Sequence, residues 1–165
     1  VSAKSKPSGI RQGKARHLVT EIILHCSATM TTGWFDDLSF AEKIAEITRW
    51  HTDPKPKGRG WRAIGYHWII DRDGTLARGR QMTEIGAHVV GHNAGSIGIC
   101  LIGGGGSSKR DRFLENFTRE QDTAARRLIQ QIKAATPITK ISGHNEYAAR
   151  ACPGFFVPEW LQGVM

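Results

Sequence analysis

Apolar positions along the chain fall into short runs and two helical stripes. Leu18 to Leu24 is mostly apolar and partly β-branched, which predicts a buried first strand ending at His25. Tyr66 to Ile70 predicts a second strand, with Tyr66, Trp68 and Ile70 on one face and His67 and Ile69 on the other. Asp71 to Gly74 is a turn signal, and Thr75 to Arg78 should return as a hairpin partner. Ser96 to Ile102 fits one buried strand, and Lys140 to Gly143 a short one. Ser39 and Glu42 form a capping-box pattern before apolar Phe40, Ile44 and Ile47, which predicts a helix packed on the sheet. Thr118 and Gln121 repeat that pattern before Ala125, Leu128, Ile129 and Ile132. Pro158 to Leu161 should be a last helical turn. Strands interspersed with long helices predict an α/β layered domain.

Length changes this picture little: 165 residues suit one domain with a real core. No apolar run approaches the roughly 20 residues of a membrane span. The N-terminus shows no apolar core of signal-peptide length, although a chain beginning with Val rather than Met is compatible with earlier processing. No internal repeat is present. Cys26, Cys100 and Cys152 are too few for a disulfide framework, which fits a reducing compartment at synthesis. Cys26 and Cys100 lie in strand contexts and read as buried thiols. The glycine-rich stretch from Gly103 lacks the Gly-Lys-Ser/Thr ending of a phosphate-binding loop.

Charge adds one feature. The net charge is +8, and Lys4, Lys6, Arg11, Lys14 and Arg16 supply five of these charges before His17, with no acid among them. Residues 1–17 therefore read as a basic flexible tail and residues 18–165 as the folded domain. Such a tail is either simply solvated and mobile or attracted to a polyanion: nucleic acid, anionic lipid or an acidic cell-wall polymer. No helix-turn-helix, zinc-finger or RNA-binding signature points to specific nucleic-acid recognition. Nothing demands more than a monomer.

The candidate chemistry sits in Ser142 to Gly154, which holds His144, Arg150 and Cys152. Imidazole and thiolate are ligand types that zinc favours. A third ligand must come from elsewhere, and His25 at a strand end is the best candidate. A lone histidine there is usually structural, but the His144 and Cys152 pair reverses that weighting. The reading is a His/His/Cys zinc site with an open position for water, the layout of a hydrolytic zinc enzyme. Trp34 and Phe35 either line a substrate cleft or fold back as core. His51 reads as a helix-end residue and His67 as a hydrogen-bonded structural one. Among His88, His92 and Asn93 at least one should line the groove, with Asn93 foremost for a substrate hydrogen bond.

Several stretches together resemble the zinc-dependent N-acetylmuramoyl-L-alanine amidases of the bacteriophage T7 lysozyme type, in a superfamily with the peptidoglycan recognition proteins. They are His25 to Thr29, Gly65 to Ile70 with Arg72 to Thr75, Gly91 to Asn93 through Ser96 to Leu101, Asn116 to Thr118, and Gly143-His144 through Ala151 to Pro153. The resemblance spans roughly residues 18 to 160. It implies a mixed central β-sheet flanked by helices, with one Zn2+ in a groove held by His25, His144 and Cys152. It implies a catalytic role for Tyr66: holding the water, holding the oxyanion, or delivering a proton to the leaving amine. Arg150 stands where the T7-type enzymes have a catalytic lysine. Arginine stays charged at ordinary pH, so it stabilises charge and does not serve as general acid. The implied reaction is hydrolysis of the amide between N-acetylmuramic acid and L-alanine by a lytic enzyme, made in a host bacterial cytoplasm and acting on the cell wall after release. Two other classes stay open at this point: a recognition module that grips peptidoglycan without cutting it, and a thiol hydrolase using Cys152 with His144.

Overall fold

The computed structural model describes residues 8–165. A two-stranded antiparallel hairpin opens it, β1 (Arg11–Gln12) against β2 (His17–Leu18). A five-stranded mixed sheet forms the centre. Its strands in chain order are β3 (Glu21–Cys26), β4 (Trp68–Ile70), β5 (Leu76–Arg78), β6 (Ser96–Leu101) and β7 (Lys140–Gly143). The spatial order is β5-β4-β6-β3-β7. β3 pairs in parallel with both β6 and β7, β4 in parallel with β6, and only β5 runs antiparallel. Central parallel strands are covered on both faces, which explains why β3 and β6 are apolar nearly throughout.

Helices supply the cover. α1 (Phe40–Thr52) starts at the Ser39 capping box and α3 (Arg119–Ala135) at the Thr118 capping box, as the sequence predicts. α2 (Phe113–Asn116) and α4 (Val157–Leu161) are short. One face of the sheet packs Ile22, Leu24, Ile97, Ile99 and Leu101 against Leu128, Ile129, Ile132 and Trp160. The other packs Ile69 and Cys100 with Phe35, Ile47 and Ile102. Alternation along β3 therefore turns His25 away from the face that Leu24 and Cys26 share.

Three expectations need correction. The first strand begins at Glu21, because Thr20 and Glu21 donate their N–H groups to Gly95 O and residues 17–18 pair within the hairpin. Tyr66 packs in the cluster of Ile69, not with Trp68 and Ile70. The strand ladder starts only at Trp68, so period-two alternation has no hold on Tyr66. The supposed tail is partly folded. Gln12 is fully buried, donates to Ser96 O (2.9 Å) and Met82 O (3.1 Å), and accepts from Gly95 N (2.9 Å). A side-chain amide satisfied this fully can be buried without penalty. Lys4 and Lys6 lie outside the described residues.

Beneath α1, the Lys43 ammonium meets Asp71 at 3.1 Å, with both side chains nearly excluded from solvent. Asp71 Oδ1 also accepts from Arg72 N (2.8 Å). Removing one partner strands the other charge in the interior. Lys43→Met is therefore expected to cost about 3 kcal/mol or more of stability, read as a lower urea midpoint with an unchanged slope. Lys43→Met with Asp71→Asn should recover part of that loss.

Candidate metal centre

The sheet brings its ligands to one edge. His25 is the penultimate residue of β3, and His144 follows directly after β7, the parallel neighbour of β3. Parallel neighbours end at the same edge, which is where open α/β sheets place their sites. The loop after His144 returns Cys152 beside β3, where its sulfur accepts from Cys26 N (3.2 Å). The ligand atoms of His25, His144 and Cys152 all lie within 4.8 Å of one another. Cys152 Sγ is 3.9 Å from His25 Nδ1, and the two imidazole centroids are 4.8 Å apart. Tetrahedral zinc with these donors needs ligand separations of roughly 3.3–3.8 Å, so a contraction of about 1 Å closes the set. Two imidazoles and a thiolate are a fitting donor set for that ion.

The electrostatics of the two imidazoles agree. Burial holds the pKa of His25 well below the ordinary value, with further contributions from His88 and His144. Burial, then Arg150 and Arg59, take His144 down to about 4. Both rings are neutral at pH 7, each with a lone pair to offer. Burial raises the Tyr66 phenol well above its usual value, helped by Cys100 and Cys152, so it stays a donor. Its ring lies 5.1 Å from that of His25.

A cavity of about 550 Å³ opens over these groups. Its lining includes Tyr66, His144, Arg150 and Cys152, together with Arg59 and Trp61, and among the described residues contains no carboxylate. The cavity thus favours an anionic ligand. The sequence shows a basic loop from Lys55 to Arg59 without giving it a role, and does not single out Trp61. The signal available for both was the run of cations Lys55, Lys57 and Arg59, the last of which lies over the Trp61 indole at 5.2 Å.

Not every predicted contact is placed as expected. Trp34 is absent from the cavity lining, 64 % exposed and edge-on to Phe35, which is core. Asn93 remains in the lining, but its Oδ1 accepts from His88 N (2.8 Å) and Val89 N (2.9 Å), shaping its own loop. His88 also lines the cavity, yet both ring nitrogens are engaged inside the protein, with His25 Nε2 at 2.8 Å and Ser96 Oγ at 3.1 Å. Burial, then His67, His144 and Arg80, bring its pKa down to about 3. His51 accepts from Gly65 N (2.9 Å) and lines the cavity without joining the ligands. His67 is buried, accepting from Gly98 N (3.0 Å) with its Nε2 at Glu84 O (2.8 Å), which is the structural role expected of it.

Comparison with known proteins gives one consistent pattern. Residues 15–155 match the family model described as N-acetylmuramoyl-L-alanine amidase. The endolysin of Escherichia phage T7 is 37% identical over 151 residues, covering 92% of this chain and 91% of that protein. The endolysin of Klebsiella phage KP32 is 36% identical over 147 residues, covering 89% and 88%. Among solved structures, wild-type Drosophila PGRP-LB superposes with a TM-score of 0.70 at 23% identity, covering 96% of this chain and 87% of that one. The N-acetylmuramoyl-L-alanine amidase LysC from Clostridium intestinale URNW gives 0.62 at 24% identity, covering 100% and 97%. At these identities the two structures speak for the fold.

Proposed function

The chain belongs to the N-acetylmuramoyl-L-alanine amidase family, and from that premise we propose that it cuts the amide between N-acetylmuramic acid and L-alanine in peptidoglycan, as a zinc-dependent phage-type endolysin. The observation that carries this reading is the convergence of His25, His144 and Cys152, the last two lining a cavity with two arginines and, among the described residues, no carboxylate. These three residues would hold zinc, which would supply Lewis acidity at the scissile carbonyl and an acidified water near neutral pH.

The chain's own groups divide the remaining work. Hydrolysis adds a hydroxyl to the lactyl carbonyl carbon and releases the alanine amine with a proton. Arg150, a permanent cation in the lining, stabilises negative charge that develops on the carbonyl oxygen. Tyr66, held as a neutral phenol, donates a hydrogen bond to that oxygen or orients the water. Arg59 and Arg150 together favour the carboxylate-bearing stem peptide. Asn93 is a candidate for holding a peptide amide. Cations of the N-terminal segment, Lys14 and Arg16 among them, would add attraction to anionic wall polymers. No helix among the described residues is long and apolar enough to cross a membrane.

The test is digestion of purified peptidoglycan with and without a chelator, scored separately for new amino termini and new reducing sugars. New L-alanine termini that appear only with zinc, without new reducing ends, are the expected result. Tight sedimentation with sacculi and no release would favour the recognition module, toward which only the arginine at position 150 points. Cleavage that survives chelation and stops on thiol alkylation would favour the thiol hydrolase.

A further inference from the structure

His88 stands in a slot built for a ring. A Cβ added to Gly98 would come within 2.8–3.0 Å of three atoms of its imidazole, and one added to Gly86 within 2.7 Å of its Cδ2. The backbone at His88 is pinned by Asn93 Oδ1, and Ser96, at the far side of the ring, is held by Gln12 through its carbonyl. Across this slot run three groups in hydrogen-bond contact: Ser96 Oγ, the two nitrogens of His88, and His25 Nε2.

A count of protons fixes the direction of this chain. The Ser96 hydroxyl has one proton, and it lies 2.7 Å from His92 O and 3.0 Å from Asn93 O. Carbonyl oxygens only accept, so that proton goes to one of them. Ser96 therefore offers His88 a lone pair, and His88 Nε2 must carry the hydrogen between them. A neutral imidazole with hydrogen on Nε2 has its lone pair on Nδ1. That lone pair faces His25 Nε2 at 2.8 Å, so His25 Nε2 carries the next hydrogen. The lone pair of His25 is thereby left on Nδ1, the atom that faces Cys152 Sγ. His67, whose centroid is 5.8 Å from that of His88, has both nitrogens engaged elsewhere and does not enter the chain.

We propose that His88 is a positioning residue: with Ser96 it locks His25 in the tautomer and ring orientation that present Nδ1 to the metal. The proposal rests on the zinc-centre reading above. Ligand histidines usually give their outer N–H to a carboxylate, a backbone carbonyl or water. Here the acceptor is a second neutral imidazole. Such a relay orients the ligand without adding negative charge, so Cys152 remains the only anionic donor of the set.

The tautomers are read directly by long-range proton–nitrogen correlation spectra of the labelled, zinc-free wild-type protein. Zinc affinity by chelator competition is then compared among wild type, His88→Phe and His88→Asn. Phenylalanine keeps a ring in the slot and removes the acceptor. Asparagine loses the ring but places a carbonyl oxygen near the position of Nδ1. The expected result is hydrogen on Nε2 of both His25 and His88, a loss of about 10–100-fold in zinc affinity for His88→Phe, and recovery of most of that loss in His88→Asn. Hydrogen on Nδ1 of either ring overturns the proposal. So does wild-type affinity in His88→Phe, or equal weakness in the two variants, which would make the ring a packing element. Should His88→Phe fail to fold, Ser96→Ala takes its place, and unchanged affinity there counts against the relay. Wild-type protein that binds no zinc but shows both Nε2–H tautomers would sink the metal reading and uphold the relay.

Discussion

His144→Ala is expected to lose peptidoglycan hydrolysis by about 10³-fold or more and no longer to retain zinc, while melting where zinc-free wild type does. The scale follows from losing an electrophile worth several kcal/mol of transition-state stabilisation. His144 is the informative ligand to remove because it is half-buried and begins a short turn, whereas His25 is 1 % exposed in the central strand and His25→Ala would also leave a hole in the interior. Zinc content, melting temperature and release of L-alanine termini are measured on one preparation. Full activity in a zinc-free His144→Ala protein would refute the metal mechanism outright.

The second large effect belongs to Arg150. Arg150→Ala is expected to lower kcat by about 10²–10³-fold with a smaller change in KM, the loss seen when a charge acting on a developing oxyanion is removed. Arg150→Lys should keep most activity near neutrality but acquire a new alkaline limb. The sign follows from the charge: lysine is cationic below its pKa and loses that charge as pH rises through it, while arginine keeps its charge throughout. The limb should be missing from both the wild type and Arg150→Ala. Profiles of identical shape for Arg150→Lys and wild type would show that this position does not act through its charge.

The parts of the structure legible from sequence are those governed by local rules. Ser39 and Thr118 mark helix starts because a capping box is completed within four residues. The buried stripe of α3 follows from a 3.6-residue period, and β6 from an unbroken apolar run. The cluster of His25, His144 and Cys152 was legible for a different reason: His144 and Cys152 are close in sequence, and His25 closes an apolar strand run, a position the family resemblance also picks out. What stayed hidden depends on partners far away along the chain. His88 and His25 are 63 positions apart, and no periodicity links them. Gln12 looked like part of a solvated basic stretch because its flanks are polar. Its burial depends on Met82, Gly95 and Ser96, which only the fold brings near. Tyr66 was assigned to the wrong face because the pattern gave no sign of where the ladder begins.

The order of strands sets a timetable for synthesis. β3 is translated before both of its sheet neighbours: Ser96 lies 70 positions after Cys26, and β7 ends at Gly143. At about 5–20 residues per second, a nascent chain would wait several seconds with Ile22, Ile23 and Leu24 unpaired. Non-local pairing of this kind folds slowly and exposes apolar strands meanwhile. Cys152 arrives only after the sheet's last strand, so no intermediate length of chain can assemble the three metal ligands. A lytic enzyme built on this topology stays inert on the ribosome until Cys152 has been made and has emerged.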